Sequence, residues 1–349
     1  MLIAYFVLYS ILLVLFYIGR NKNTSKKSQE SYYHSKTISV IIPFRNEEDN
    51  LPKLIDSIHK LALQPLEFIW VNDHSTDHSL QVLQHLSNNH QVINLTKETQ
   101  GKKAAIRKGI KLASGTYILT WDADIKVDSN YFKNLEKTYI SELSILPVRM
   151  KGKSFVEILY ELDYYFLNSI NIGIAGFTLP IVASGANLLF NKNVFNEIDS
   201  INNHKHIASG DDQFLLQDFK KSGSSIQVIN TPDLLVETTT PHSFVDFMKQ
   251  RLRWISKSKG INDRTTTWIS ILGSLYVLGF VCLLFTSSWI LVLIFKIGID
   301  ILIFLPYLKV VGRKKITFVV PFFTLLYPIY FIGIGIGMLL FTPDWKERK

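Results

Sequence analysis

Four long stretches of this chain are nearly free of charge: Leu2–Ile18, Trp268–Phe285, Trp289–Leu308 and Phe318–Phe341. Each approaches or exceeds the roughly 20 residues that a helix needs to cross a ~30 Å hydrocarbon core. Between the first and second stretches the sequence is charged and mixed, as a segment that folds in water should be. The expected organisation is an N-terminal transmembrane anchor (residues 1–20), a polar linker (21–36), a water-soluble domain (37–240), an interfacial amphipathic helix (241–262) and C-terminal transmembrane helices (263–349). The 47% hydrophobic content of the 349 residues reflects this uneven distribution.

The first apolar stretch has no basic segment ahead of it and no small-residue cleavage pattern behind it, so it reads as an anchor and not as a removed signal peptide. Arg20, Lys22, Lys26 and Lys27 follow it, and Lys309, Arg313, Lys314 and Lys315 follow the third. By the positive-inside rule both basic segments face the cytoplasm, which makes the soluble domain cytoplasmic in a protein of the cell's inner or plasma membrane. The basic tail Lys346–Lys349 would then lie outside, a conflict that a re-entrant last segment removes. A net charge of +9 suits work beside anionic headgroups or on phosphorylated substrates. No basic segment carries the aromatic interleaving or zinc spacing of nucleic-acid modules, so nucleic acid is not an expected partner. The one cysteine, Cys282, excludes an intrachain disulfide or a cysteine metal cluster.

Within the soluble segment short apolar runs alternate with amphipathic ones. "ISVIIPF", "LEFIWVND", "HQVINLT" and "TYILTW" read as strands; Leu51–Leu61, "DHSLQVLQHLS" and "GKKAAIRKGIKLAS" read as helices. Such alternation predicts an α/β domain with a parallel sheet and right-handed crossovers. Ligands of such sheets lie beyond the carboxyl ends of the strands. Residues Pro43–Glu47, Asn72-Asp73 and Asp122-Ala123-Asp124 occupy three of those ends. Two carboxylates as close as Asp122 and Asp124 repel unless a cation lies beside them. Their hard oxygens favour Mg²⁺ or Mn²⁺, which keep waters and also bind substrate phosphates.

The ordered segments "SVIIPFRNEEDNLPKLIDSI", "WVNDHSTDHS", "GKKAAIRKGI" and "WDADIKV" resemble family 2 glycosyltransferases of the GT-A fold. "ASGANLLF", "ASGDDQFLLQDF" and "QRLRW" (Gln250–Trp254) resemble the acceptor-side motifs of the membrane-integrated branch, which includes cellulose, hyaluronan and poly-N-acetylglucosamine synthases. The resemblance covers roughly Ile38 to Trp254. It implies a Rossmann-like nucleotide-diphospho-sugar transferase domain in which Pro43, Asn46 and Glu47 border the nucleotide and Asp73 accepts a hydrogen bond from a uracil ring. It implies further that Lys102 lies near the diphosphate, that Asp122 contacts ribose or assists the metal, and that Asp124 ligates the bridging cation. Asp77 reads as a turn or cap residue, and Lys103, Lys108 and Lys111 as a solvated helix face.

Inverting transfer needs a base to take a proton from the attacking acceptor hydroxyl. Asp212 stands at the family's catalytic aspartate, with Asp211 where glutamate is common; the same pair also suits a helix start. Ser184, Gly185, Ala186 and Asn187 would line the acceptor side, where glycine permits close approach of a sugar. In "QRLRW", Gln250 would help bind the nucleotide sugar, Arg253 offers a fixed cation for phosphate, and Trp254 offers a flat surface to a sugar ring or the acceptor. Lys296 and Asp300, one helical turn apart within a span, would neutralise each other. The expected activity is inverting, metal-dependent transfer from a nucleotide-diphosphate sugar, with UDP favoured, to a lipid, glycolipid or polysaccharide acceptor at the membrane. The alternative is a transporter or scaffold with an inactive sugar-nucleotide-binding domain. The Gln-x-x-Arg-Trp motif does not separate processive from single addition, since ceramide glucosyltransferases share it.

Overall fold

The runs expected as strands form β1 (Ile38–Phe44), β2 (Glu67–Asn72), β3 (His90–Asn94) and β4 (Tyr117–Trp121) in the computed structural model, which describes residues 2–25, 34–84, 86, 89–198, 211–256 and 263–340. β1 pairs in parallel with both β2 and β4, and β2 with β3. β1, β2 and β4 are buried along their whole length, which is why they read as unbroken apolar runs. Crossovers are made by α2 (Leu51–His59) and α4 (Lys102–Leu112). The helix expected over "DHSLQVLQHLS" is shorter: among the described residues only Ser79–Val82 is helical (α3). The turn Ser114-Gly115 before β4 is where the sequence puts it. A Cβ on Gly115 would meet the Ser39 amide and hydroxyl and the Thr37 carbonyl at 2.7 Å.

Beyond β4 the sheet stops being parallel. β8 (Asn187–Asn191) enters at the carboxyl end of β4, with Asn187 opposite Trp121, and so runs back antiparallel to it. β6 (Leu143–Ile145) is antiparallel to β8, and β9 (Ile226–Val228) is parallel to β6. The seven-stranded order is β3-β2-β1-β4-β8-β6-β9; a second sheet orders β5 (Lys126–Val127), β10 (Val236–Thr239) and β7 (Val148–Lys151) as β5-β10-β7. Helices α5 (Tyr131–Leu135), α7 (Lys192–Ile198) and α8 (Asp211–Lys221) complete this α/β unit, which spans residues Lys26–Met150 and Ala183–Thr239. Its core joins Ile41, Ile69, Val71, Ile106 and Ile118 to Leu188, Phe190, Leu216 and Phe219.

A second compact unit comprises Met1–Ser25, Lys151–Val182 and Thr240–Lys349. It holds α1 (Leu2–Ser25), α6 (Phe155–Ala175), α9 (Phe244–Ser256), α10 (Arg264–Leu284), α11 (Trp289–Val310) and α12 (Val320–Leu340). Four helical segments, Leu2–Asn23, Arg264–Leu284, Trp289–Val310 and Lys314–Gly337, are long and apolar enough to cross a membrane. Helix α6 opens with a capping box in which Ser154 and Glu157 serve each other's backbone amides. It crosses α1 where glycines let two backbones touch: a Cβ on Gly176 would lie 1.7 Å from the Gly19 carbonyl oxygen. Two of its acids are buried and paired, Glu161 with Arg313 at 2.6 Å and Asp163 with Arg251. Arg313, one of the basic residues of the loop expected to face the cytoplasm, is thus paired within the protein. Lys296 and Asp300 do neutralise each other, at 2.5 Å, and Thr324 donates to the same carboxylate at 2.7 Å. The tail Lys346–Lys349 lies outside the described residues.

Candidate active site

The carboxyl ends of β1, β2 and β4 carry most of the residues singled out in the sequence. After β1 the backbone turns through Asn46, whose φ of 51° is left-handed; after β2 it does the same at His74, with φ 56°. Asn tolerates this region better than most residues. The two turns lock together: the Asn46 amide donates to the Ser75 hydroxyl at 3.1 Å, and Asn46 Oδ1 accepts from the Thr76 amide at 2.8 Å. The Glu47 amide donates to the Ser79 hydroxyl at 2.8 Å. Asp77 is a turn residue, accepting from the Ser79 and Glu48 amides. Pro43 lies within β1, opposite Val71.

Asp73 is fully buried, and its Oδ1 accepts from the Gly101 amide at 3.0 Å. Gly101 has a φ of 95°, where a side chain would be strained, and it opens α4. That geometry delivers Lys102 to the end of β4, where its ammonium lies 2.5 Å from Asp122 Oδ1. Lys103 turns the other way. It is buried over the Phe214 ring at 4.5 Å, contrary to the solvated face expected of it, whereas Lys108 and Lys111 are exposed as expected. The alkyl stem packs and the ammonium finds an aromatic face, a placement that helical periodicity alone does not reveal.

Asp124 is half-buried, and its Oδ2 accepts from the Thr238 hydroxyl at 2.8 Å. Burial, and then the Asp122 carboxylate, push Asp124 up to about 6 against the pull of the Thr238 hydrogen bond; Glu47 adds to the rise and Lys102 opposes it. Glu47, Lys102, Asp122 and Asp124 therefore share one electrostatic neighbourhood, assembled from the ends of β1 and β4 and the start of α4. Among the described residues no three His, Cys, Asp or Glu side chains group closely enough to hold a metal by themselves. Two hard carboxylates at one place fit a Mg²⁺ or Mn²⁺ ion that keeps its remaining positions for water and phosphate oxygens.

The acceptor-side residues divide. The Gly185 amide lies 3.3 Å from Asp212 Oδ2, and the Gly185 carbonyl accepts from the Thr120 hydroxyl at 2.9 Å, two residues before Asp122. Asp212 also accepts from the Gln213 amide at 2.8 Å, as a residue in the first turn of α8 can. The Asp211 side chain and Ala208–Gly210 lie outside the described residues. Asn187 does not line an acceptor surface: it is fully buried, its amide donates to the Pro147 and Leu234 carbonyls at 2.9 Å each, and its Oδ1 accepts from the Tyr131 hydroxyl at 2.6 Å. Both amide hydrogens and one oxygen lone pair of the side chain are spent on tying β8 to the loop before β7, the turn Pro232–Leu234 and α5.

Gln250, Arg253 and Trp254 lie on α9, in the unit of apolar helices. The residue that contacts both Gln250 and Trp254 is Arg251, a spacer position of the motif. Its buried guanidinium pairs with Asp163, donates to the Gln250 Oε1 at 2.5 Å and to the Tyr160 carbonyl at 3.2 Å, and stands 4.2 Å from the Trp254 ring. Both Arg251 and Thr238 escaped the sequence reading. A second arginine beside the motif is a weak signal for the first, and nothing local marks the second.

A mixed α/β sheet with acids, a lysine and a glycine-led helix gathered at its strand ends is a Rossmann-like GT-A domain. Residues 39–198 match the family model described as glycosyl transferase family 2. The undecaprenyl-phosphate 4-deoxy-4-formamido-L-arabinose transferase of Yersinia enterocolitica is 37% identical over 97 residues, 26% of this chain and 30% of that protein. The glycosyltransferase GlyA of Streptococcus pneumoniae is 33% identical over 104 residues, 30% of this chain and 15% of that protein. The similarity thus spans less than a third of the length of either relative. Among solved structures, the mannosyltransferase PcManGT from Pyrobaculum calidifontis, in complex with GDP-Man and Mn²⁺, shares the fold with a TM-score of 0.55 at 14% identity, covering 93% of this chain and 99% of that one.

Proposed function

We propose that the protein is an integral membrane glycosyltransferase that takes a nucleotide-diphosphate sugar, a UDP-sugar foremost, in the cytosol and transfers the sugar with inversion to a lipid or growing glycan at the membrane. The observation that carries this reading is the convergence of Glu47, Lys102, Asp122 and Asp124 at the strand ends of the α/β domain. Asp124 and Asp122 would hold a Mg²⁺ or Mn²⁺ ion, which supplies positive charge against the departing nucleoside diphosphate. Lys102 adds a second positive charge on the same side. Pro43, Asn46, Glu47 and Asp73 border the nucleotide, and the rigid turns at Asn46 and His74 keep that border in place without reorganisation. Asp212, beside the Gly185 amide, accepts the proton of the attacking hydroxyl; Asp211 stands next to it on α8. A lipid-linked acceptor is favoured by the four membrane-length helices and by the lipid phosphate named for the Yersinia relative. Inactive scaffolding is disfavoured, because every acid of the proposed site is present in the sequence.

The test is to incubate membranes containing the protein with a panel of UDP- and GDP-sugars and to analyse lipid and polymer fractions by mass. A new glycosylated product is expected with one donor and Mg²⁺ or Mn²⁺; no product from any donor would sink the reading. Asp212→Asn is expected to lower turnover by about 10²-fold or more while donor binding persists. A variant with wild-type turnover would remove Asp212 from the role of base.

A further inference from the structure

We propose that Thr238 is a positioning residue for Asp124, and through it a determinant of divalent-cation affinity; this rests on the donor-cation reading above. The hydroxyl donates to Asp124 Oδ2 at 2.8 Å across 114 residues of sequence. Its placement is dictated by the small sheet. β10 runs antiparallel to β5, with Val236 opposite Val127 and Glu237 opposite Lys126, so Thr238 comes level with Ile125, the residue after Asp124. Glu237 is tied to Arg149 on β7 at 2.7 Å, which fixes β10 from its other side. Thr238 is itself buried.

Two features make threonine suited to this task. Its β-branch restricts χ1 in a strand, so the hydroxyl has few directions to take. A neutral donor holds one carboxylate oxygen while leaving the full negative charge of Asp124 for a cation at the other. Asp122 is held differently, by the ammonium of Lys102. Each acid of the pair is therefore oriented by its own partner, and loss of a residue that orients a metal ligand typically lowers metal affinity by about 10–100-fold.

The experiment is a titration of full-length protein in detergent with Mn²⁺, followed by electron paramagnetic resonance with UDP or GDP present. Wild type, Thr238→Val, Thr238→Ser and Thr238→Ala are compared, each checked by its melting curve. Val removes the hydroxyl at constant shape and is expected to weaken Mn²⁺ binding by about tenfold or more. Ser restores the hydroxyl and is expected to bind within about threefold of wild type. Ala substitutes for Val where Val melts early. A Val variant within about twofold of wild type overturns the assignment, and so does a Ser variant as weak as Val, which would make the methyl packing the cause. Wild-type protein that binds no Mn²⁺ with either nucleotide overturns the donor-cation reading and this inference together.

Discussion

At the residue scale the most consequential group is the Asp124 carboxyl. Its ordinary value of 3.8 rises to about 6 in the folded protein, first through burial and then through Asp122. Such a group binds its proton more tightly folded than unfolded, so metal-free stability is greatest below the unfolded value and declines as pH rises through the interval to about 6. Asp124→Asn removes the penalty. In EDTA the variant is expected to melt above wild type at pH 7.5 and level with it near pH 4; equal melting at both pH values would contradict the electrostatic reading. The gain in stability would come with loss of the proposed cation ligand, the usual opposition between a strained site and a stable one. The Asp-x-Asp pattern behind an apolar run made this residue visible in the sequence. Asn187 reads as acceptor-lining in the sequence, because no pattern distinguishes an asparagine facing a substrate from one bracing a buried loop and a helix.

At the element scale α6 carries the fold of the second unit. Its acids reach Arg313 and Arg251, and its glycines meet α1. Breaking a buried pair leaves an uncompensated charge, so Asp163→Ala and Arg251→Ala should each cost about 3–5 kcal/mol. The double replacement Asp163→Leu with Arg251→Met is expected to recover most of that loss, as judged by melting in detergent. Singles and double that all melt alike would show the pair to be idle. Gly176→Val, which drives a side chain into the Gly19 backbone, is expected to reduce the folded protein recovered from membranes far more than Gly279→Val, where a Cβ meets open space. Strands β1, β2 and β4 were legible because each is a buried run bounded by turn residues, and the largely exposed β3 because it falls between two helix-and-turn segments. The antiparallel return of β8 was not, since direction in a sheet depends on where the chain re-enters.

At the scale of the whole molecule, the order of apolar and mixed segments was readable from charge, because a helix that crosses a bilayer needs a long run with few charges. It predicts one accessible side: in a Cys282→Ser background, single cysteines at Lys126 and Lys315 should react with an impermeant thiol reagent only once sealed cells are opened. Reaction from outside at either position would reverse the proposed orientation. What the sequence alone determined, then, is what local periodicity and solvent preference encode: four membrane-length helices, the first four strands, and acids and a lysine waiting at strand ends. Only the tertiary structure decided which partners those groups take. Thr238 meets Asp124 and Arg251 meets Asp163 across 114 and 88 residues. Contacts of that kind are set by sheet register and helix crossing, and they leave no periodic trace along the chain.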